Sequence, residues 1–416
     1  MPAAHVNRRT LLKTGGLALA GAGLGACRSA RTLQTAATHR PPLTLAPVHV
    51  SFDRIVRTTV GLRPHRDGGF LLKAEKLGAK TVIHNYGHGG AGMSLAWGLG
   101  VAVADLARAT GETHVAVLGA GSPGLSAARQ LQRRGYDVTI YAATVPPDTT
   151  SNMSLAGFTP TTALINNDRR TPEWDAQFLR AAEISYRELQ LLVGRDYGVY
   201  WIDTYNATDD PNRQGGGAGR GGGDGRGATD ADLVPEYLRP GRVREVYGPG
   251  EHPFPTMYAV KSIALAIEPN KYMDAIVRDF LLFGGRIVIR KFDTANDLAT
   301  VPEAVIVNCT GLGSATLFGD TDLVPIKGQL TLIPPQADVN YRATGRLAGA
   351  DVAAQMNPRS DGIVIGNLQD RGNASLAPDP AVIERNVKAA IDFFAAMTAR
   401  SFVRSVRLQA DLAESG

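Results

Sequence analysis

The sequence predicts an α/β fold in which a Rossmann-like domain, built on a parallel sheet, is joined to a smaller mixed-sheet domain. Three stretches carry this expectation. At 114–135 the apolar run His114-Val115-Ala116-Val117-Leu118 enters Gly119-Ala120-Gly121-Ser122-Pro123-Gly124 and then the helical segment LSAARQLQRRG. At 81–98, TVIHNYGHGGAGMSLAWG, an apolar strand runs into a turn holding Gly87, Gly89, Gly90 and Gly92 and leaves it as a helix closed by Gly111. At 304–313 a buried strand, AVIVN, ends in Cys309-Thr310-Gly311-Leu312-Gly313. In all three, small residues at a strand end let the backbone approach a ligand, and a helix N-terminus supplies bare N–H groups for an electron-rich or anionic group.

The first of these is a βαβ start, completed by the strand Asp137 to Tyr141, with the Gly-x-Gly-x-x-Gly spacing of a dinucleotide site. Gly119, Ala120, Gly121, Gly124 and Leu125 are its cofactor-binding candidates. One expected feature is missing: the second strand ends Tyr141-Ala142-Ala143, with no acidic residue for the ribose hydroxyls.

At 416 residues the chain has room for two domains, or for one large domain with a cap. A composition of 44% hydrophobic and 20% charged residues excludes global disorder. The formal net charge is +5, but Arg8, Arg9 and Lys13 lie in an N-terminal targeting segment, so the basic balance is no sign of nucleic-acid binding. Residues 1–27 pair two arginines with a short apolar run, which resembles a twin-arginine export signal and predicts a periplasmic or cell-envelope protein passed folded to the export machinery. That run is shorter than the roughly 20 apolar residues of a permanent membrane span. Leu24-Gly25-Ala26-Cys27 also resembles a lipoprotein cleavage box, which would leave Cys27 as a lipidated first residue; simple cleavage after a small residue is the alternative. Cys309 is the second of two cysteines, so lipidation of the first would leave no disulfide.

Residues 28–47, rich in Thr, Ala and Pro, read as a linker. Strand-like patterning starts at Val48 and includes Gly61-Leu62-Arg63-Pro64, where the proline restricts Arg63 to an extended backbone suited to a bidentate grip on a carboxylate. A solvated arginine at a strand end is the plainer reading. For His84 and His88 the plainer reading is packing within a glycine-rich turn, and no third ligand is spaced for a metal. After the polar loop PPDTTSNMSLAGFTP come the helical segment 171–194 and a strand around YGVYWI. The stretch Arg213 to Gly227 is nine-fifteenths glycine and reads as a surface loop. Strand, helix and strand follow over 255–292, then antiparallel strands in PIKGQLTLIPP and DGIVIGN, and an amphipathic helix over 380–402.

HNYGHGG at 84–90, VAVLGAGSPGLSAARQL at 115–131, VIVNCTGLG at 305–313 and GLRP at 61–64 together resemble the FAD-dependent D-amino-acid oxidases and their relatives; DTTSNMSLAG at 148–157 and IKGQL at 326–330 are weaker matches. The resemblance implies a glutathione-reductase-type FAD-binding domain, FAD as cofactor, and hydride transfer from an amine substrate, with a D-amino acid as the leading candidate, to the flavin. The resulting imine would hydrolyse to a keto acid. It further implies that Arg63 holds the substrate carboxylate, that His88, Gly89, Gly90, Gly92 and Met93 lie along the flavin ring, and that Thr149, Thr150, Thr310 and Gly311 contact the cofactor. Oxygen or a membrane quinone would accept the electrons.

The chain departs from the family in order, because GLRP and HNYGHGG precede the nucleotide motif as in a circular permutation. This requires the strand around Ile55 to Leu62 to lie near the C-terminal helix. The expected boundaries are 48–160 and 266–325 for the FAD-binding domain, 161–265 and 326–365 for the substrate domain, and 366–416 for the C-terminal helix returning to the FAD domain. The chain also departs in substrate residues: no tyrosine follows Tyr341, and Ala91 stands where an aromatic residue often follows His-Gly-Gly. An oxidase of an imino or hydroxy acid, or an exported FAD-containing binding protein without oxidase activity, therefore stays open.

Overall fold

The computed structural model describes residues 40–212, 229–239 and 243–397. The expected export signal with Cys27, most of the linker and the glycine-rich stretch 213–227 lie outside the described residues. The body begins with β1 (Arg57–Arg66), followed by the hairpin β2 (Leu71–Leu77) and β3 (Lys80–Tyr86) and by α1 (Gly92–Arg108). The dinucleotide-type unit is β4 (His114–Leu118), α2 (Ser122–Gln132) and β5 (Asp137–Ala142). Pro123 lies in the first turn of α2, where no N–H partner is lost. Next comes α3 (Pro172–Leu191), opened by Pro172 and capped by the Thr171 hydroxyl, which accepts from the Trp174 amide. The chain continues through β6 (Val199–Thr208), β7 (Glu245–Tyr247), β8 (Tyr258–Ile267), α4 (Pro269–Leu282), β9 (Arg286–Ile289), β10 (Val305–Asn308) and α5 (Gly313–Phe318). It closes with β11 (Leu323–Ile333), β12 (Tyr341–Gly345), β13 (Ala354–Arg359), β14 (Gly362–Ile365), the short β15 (Asp370–Arg371) and α6 (Pro380–Ala395), capped by Asp379.

One sheet is six-stranded, in the order β2-β3-β10-β4-β5-β9. From β3 to β9 every pairing is parallel, and only β2 runs against its neighbour. Strands of a parallel sheet are covered on both faces, which is why β4 and β10 read as unbroken apolar runs. Ile83, Val115, Val117, Val138, Ile140, Val305 and Val307 point into the core beneath α1, α2 and α4. Val82, Ala116, Leu118, Tyr141 and Ile306 point the other way, onto Phe292, Leu298 and Leu317. Each such Val, Ile or Leu contributes about 1.5–3 kcal/mol when fully buried, so this doubly covered sheet fixes where its carboxyl edge lies.

The mixed sheet has nine strands, ordered β1-β11-β14-β13-β12-β6-β8-β7, with β15 added at β11. The strand carrying GLRP belongs to it and not to the Rossmann-like sheet expected for 48–160. β1 pairs along its whole length with β11, Gly61 opposite Gly328 and Arg63 opposite Ile326. Period-two alternation gives this sheet two different faces. Tyr205, Ala207, Tyr341, Ala343, Ala354, Met356, Ile363 and Ile365 pack on one side against Val387, Ala390 and Phe393 of α6. Thr204, Asn206, Ser262, Arg342, Thr344, Gln355 and Asn357 face the other side, which lines a cavity.

Ile55, just before β1, packs in the same cluster as α6. Gln329 on β11 exchanges hydrogen bonds with the Asp379 backbone at the start of that helix, at 2.7 and 2.9 Å. Ile55 and α6 thus share one apolar cluster. The linker is shorter than expected: Leu43 and Leu45 pack on the second cluster, the Leu43 amide donates to the Glu251 carbonyl, and the Ala46 carbonyl accepts from the Tyr341 hydroxyl. Apolar residues inside a Thr/Ala/Pro-rich stretch gave those positions something to bury.

Candidate active site

A cavity of about 980 Å³ lies between the carboxyl ends of the parallel strands and the polar face of the mixed sheet. That volume sits at the top of the range for ligand pockets, enough for a dinucleotide and a small substrate together. Gly119, Ala120 and Gly121 line it after β4, Thr149 and Thr150 in the loop beyond β5, and Thr310 and Gly311 after β10. His88, Gly89, Gly90, Gly92 and Met93 line it after β3, and Arg63 reaches it from β1. Gly124 and Leu125 do not. A Cβ at Gly124 would lie 2.1 Å from the Gly119 carbonyl oxygen, so this glycine lets α2 sit against its own turn, while Leu125 is fully buried in the core.

The glycine turn at 88–90 is shaped by the segment 157–166 lying over it. A Cβ at Gly89 would be 1.7 Å from the Ala163 carbonyl oxygen, and the φ of +53° there is left-handed. The Gly89 amide donates to Pro64 and the Gly90 amide to Thr162, each at 2.9 Å. Ser94 in the first turn of α1 donates to the Gly157 carbonyl and accepts from the Thr159 amide, tying the same segment to the helix.

Hydrogen bonds at both histidines match the packing reading. His88 is buried, which drives its pKa down to about 3, and its Nε2 lies 3.0 Å from Asn85 Oδ1; the neutral ring donates there. The Asn85 amide in turn lies 3.5 Å from the Cys309 sulfur, whose thiol burial pushes up to about 12. Neither group is an acid or base at neutral pH. His84, whose pKa burial also lowers, bridges Glu75 and Asn308. Asn308 Oδ1 accepts from the Thr310 amide and hydroxyl, so His84 helps to order the Cys-Thr-Gly turn. Among the described residues no cluster of His, Cys, Asp and Glu could hold a metal ion.

Charge in the cavity is one-sided. Arg63, Arg239, Arg244, Arg290, Lys291 and Arg342 line it, against a single lining carboxylate among the described residues, Glu236. Arg63 donates to the Leu368 carbonyl at 3.1 Å and to Asn367 Oδ1 at 3.2 Å, both neutral acceptors, and burial lowers its pKa to about 10. No carboxylate among the described residues pairs with it. Arg342 is also lowered by burial; it donates to the Ala156 carbonyl at 3.3 Å, and its Nε is buried with no partner. Thr204 Oγ1 is a second buried polar atom in the cavity with no partner.

Sequence reading missed Arg342, Thr204, Gln355 and Asn357. For Arg342, Gln355 and Asn357 the signal was the alternation of β12 and β13, where Tyr341, Ala343, Ala354 and Met356 are buried and the residues between them face the cavity; for Thr204 it was the same alternation on β6, beside buried Tyr205. At the far end, Ala142, Ala143 and Thr144 line the cavity with Arg290 and Lys291 rather than an acidic residue. The residues fit FAD: a glycine cradle at a helix N-terminus for its pyrophosphate, a cationic lining for its two negative charges, and small residues where its ring would press against backbone.

The chain matches the family model described as FAD dependent oxidoreductase, DAO, over residues 26–106 and 114–409. It is 24% identical to a D-amino acid oxidase of Dugesia ryukyuensis over 278 residues, 64% of this chain and 73% of that one. A D-aspartate oxidase of Talaromyces thermophilus is 53% identical over 57 residues, 14% of this chain and 15% of that one. Among solved structures, glycine oxidase from Geobacillus kaustophilus superposes with a TM-score of 0.46 at 14% identity, covering 68% of this chain and 78% of that one. This chain belongs to the DAO family of FAD dependent oxidoreductases.

Proposed function

We propose that the protein oxidises a D-amino acid, and that the preferred substrate carries a second carboxylate on its side chain. One observation carries the reading: Arg63 and Arg342, two guanidinium groups without a carboxylate partner among the described residues, line one cavity. A buried cation without a counter-ion costs several kcal/mol, and a bound carboxylate offsets that cost. The relatives named as D-amino acid and D-aspartate oxidases support the same class.

FAD, when bound, supplies the two-electron acceptor for oxidation of the substrate's C–N bond to an imine. Gly119 to Gly121 and the start of α2 would hold its pyrophosphate, Thr149, Thr150, Thr310 and Gly311 its middle, and His88 to Met93 the edge of its ring. Arg63 takes the α-carboxylate as a bidentate partner and so fixes where the α-carbon and amine stand. Arg342, with Thr204, Gln355 and Asn357 on the same sheet face, holds the side-chain carboxylate. His88 is held neutral and hydrogen-bonded to Asn85, so no basic side chain is assigned to the amine; the substrate binds with its amine neutral and positioning carries the catalysis. An amide and a guanidinium on this sheet face suit an acidic side chain better than an apolar one.

The permuted motif order remains our reading of the chain. It is supported by the family match falling into two segments that part just before β4, and by the packing of Ile55 beside α6. The twin-arginine-type signal supports export of the folded holoprotein, where oxygen or a quinone would take the electrons.

Incubating holoprotein with a panel of D- and L-amino acids and an artificial acceptor, and measuring keto acid and ammonia, tests the function. D-aspartate and D-glutamate should give both products at the highest kcat/KM. Products from none of the amino acids would overturn the reading in favour of an imino-acid, hydroxy-acid or binding role.

A further inference from the structure

His65 stands two residues beyond Arg63 on the same face of β1 and is only 3% exposed. Its ring lies between two oxygens: Nδ1 is 2.7 Å from the Ala163 carbonyl and Nε2 is 3.0 Å from Asp67 Oδ1. A carbonyl oxygen can only accept, and so can an ionised carboxylate, whereas a neutral imidazole carries a single N–H. Asp67 is ionised: burial works against its charge, but Arg371 and His65 outweigh it and hold the carboxyl below the ordinary range. The Arg371 guanidinium and the Asn166 amide donate to the same oxygen, at 2.6 and 3.1 Å. An imidazolium satisfies both acceptors at once, whereas a neutral ring satisfies only one of them.

We infer that His65, as an imidazolium, is a positioning residue that clamps the segment 157–166 onto the glycine turn at 88–90 and thereby sets the seat of the FAD ring. Ala163 has φ +46°, a left-handed backbone that an alanine keeps only when its surroundings hold it there. Its carbonyl is the atom that both accepts the His65 hydrogen bond and abuts Gly89. Gly157, Thr159 and Thr162 of the clamped segment line the cavity. From the elements around it, His65 faces Asp67 in the turn after β1, Arg371 of β15 across that carboxylate, and neutral His88 of the glycine turn. Val324 is its partner on β11, and the segment 157–166 contains no ionisable side chain. Loss of one proton would leave the ring with a single donor between two acceptors, which loosens either the segment or its anchor at Asp67.

FAD affinity of the full-length protein, measured by flavin fluorescence from about pH 5.5 to about pH 9, reads this directly, since the window brackets imidazole titration. The wild type should bind FAD at least about fivefold more weakly at the alkaline end, where one donor hydrogen bond is lost. His65→Gln, which offers one donor at every pH, should bind FAD at the weaker level throughout and show no such slope. Asp67→Asn should move the transition to lower pH by removing the facing carboxylate. If the wild type binds FAD equally across the window, or if His65→Gln keeps the wild-type slope, the clamp is wrong. Should the variants fail to fold, nitrogen-15 spectra of histidine-labelled wild type decide it: both His65 nitrogens should carry protons at about pH 6, and a single neutral tautomer there would overturn the inference.

Discussion

Replacing Arg63 with methionine separates the functional charge from the fold. The guanidinium makes no ion pair with any described residue, and its neutral partners, the Leu368 carbonyl and Asn367, each stand to lose only about 1 kcal/mol of hydrogen bonding. Against that loss stands the cost of keeping the cation buried, which lowers its pKa to about 10 and works against the folded state by a few kcal/mol, on the order of the cost of any buried unpaired charge. Methionine fills part of the same volume without charge, so the variant should melt no lower than wild type, and the gain should appear in denaturant unfolding of the FAD-free protein. Catalysis should move the other way. Losing the partner of a bound carboxylate costs about 2–5 kcal/mol, which at tenfold per 1.4 kcal/mol is a fall of roughly 30- to 4,000-fold in kcat/KM. The loss should fall on D-amino acids and be small for amines that lack an α-carboxylate. Equal losses for both kinds of substrate, or a fall in melting temperature with kcat/KM unchanged, would refute the carboxylate grip.

Arg342→Leu should lower kcat/KM for D-aspartate by about 30-fold or more while leaving D-alanine within a few-fold, read as a ratio in steady-state assays. Gly89→Ala puts a Cβ 1.7 Å from the Ala163 carbonyl at a left-handed φ; overpacking of about 1–3 kcal/mol should appear as weaker FAD binding and a lower Tm. His88 has its folded pKa depressed from 6.5 to about 3, so the unfolded chain takes up a proton that the native state refuses between those values. Its contribution to stability is complete above about pH 6.5 and declines as the pH falls towards 3, by up to about 1.4 kcal/mol per unit. His88→Gln should flatten that acid limb in denaturant titrations at about pH 4.5 and 7. It should leave the neutral part of the pH–rate profile without a new inflection, because the wild-type ring does not ionise there.

The cofactor side of the site was legible in the sequence because close backbone approach demands particular residues. Gly119, Gly89 and Gly311 have positive φ or leave no space for a side chain, and each follows an apolar strand of the parallel sheet whose residue pattern is readable locally. The substrate side was much less so. Arg342, Gln355 and Asn357 lie on strands of five and six residues, too short for alternation to stand out, and their meaning depends on which face α6 covers. The pairing of β1 with β11 joins residues more than 250 positions apart, and nothing local to GLRP distinguishes the two sheets it could join. The Ala142-Ala143 end, read as a missing ribose ligand, became a cationic end only when Arg290 and Lys291 arrived from the strand after α4. His65 was passed over for a similar reason: its two acceptors come from a turn two residues away and a loop nearly a hundred residues on.

The central claim is that the cavity holds FAD beside a site for an acidic D-amino acid. Adding D-aspartate to purified holoprotein without oxygen and following the flavin absorbance bands tests it most directly. The account predicts bleaching by about one equivalent of D-aspartate per flavin, none by L-aspartate, and recovery on admitting an acceptor. A yellow protein that stays yellow with every D-amino acid offered would contradict it.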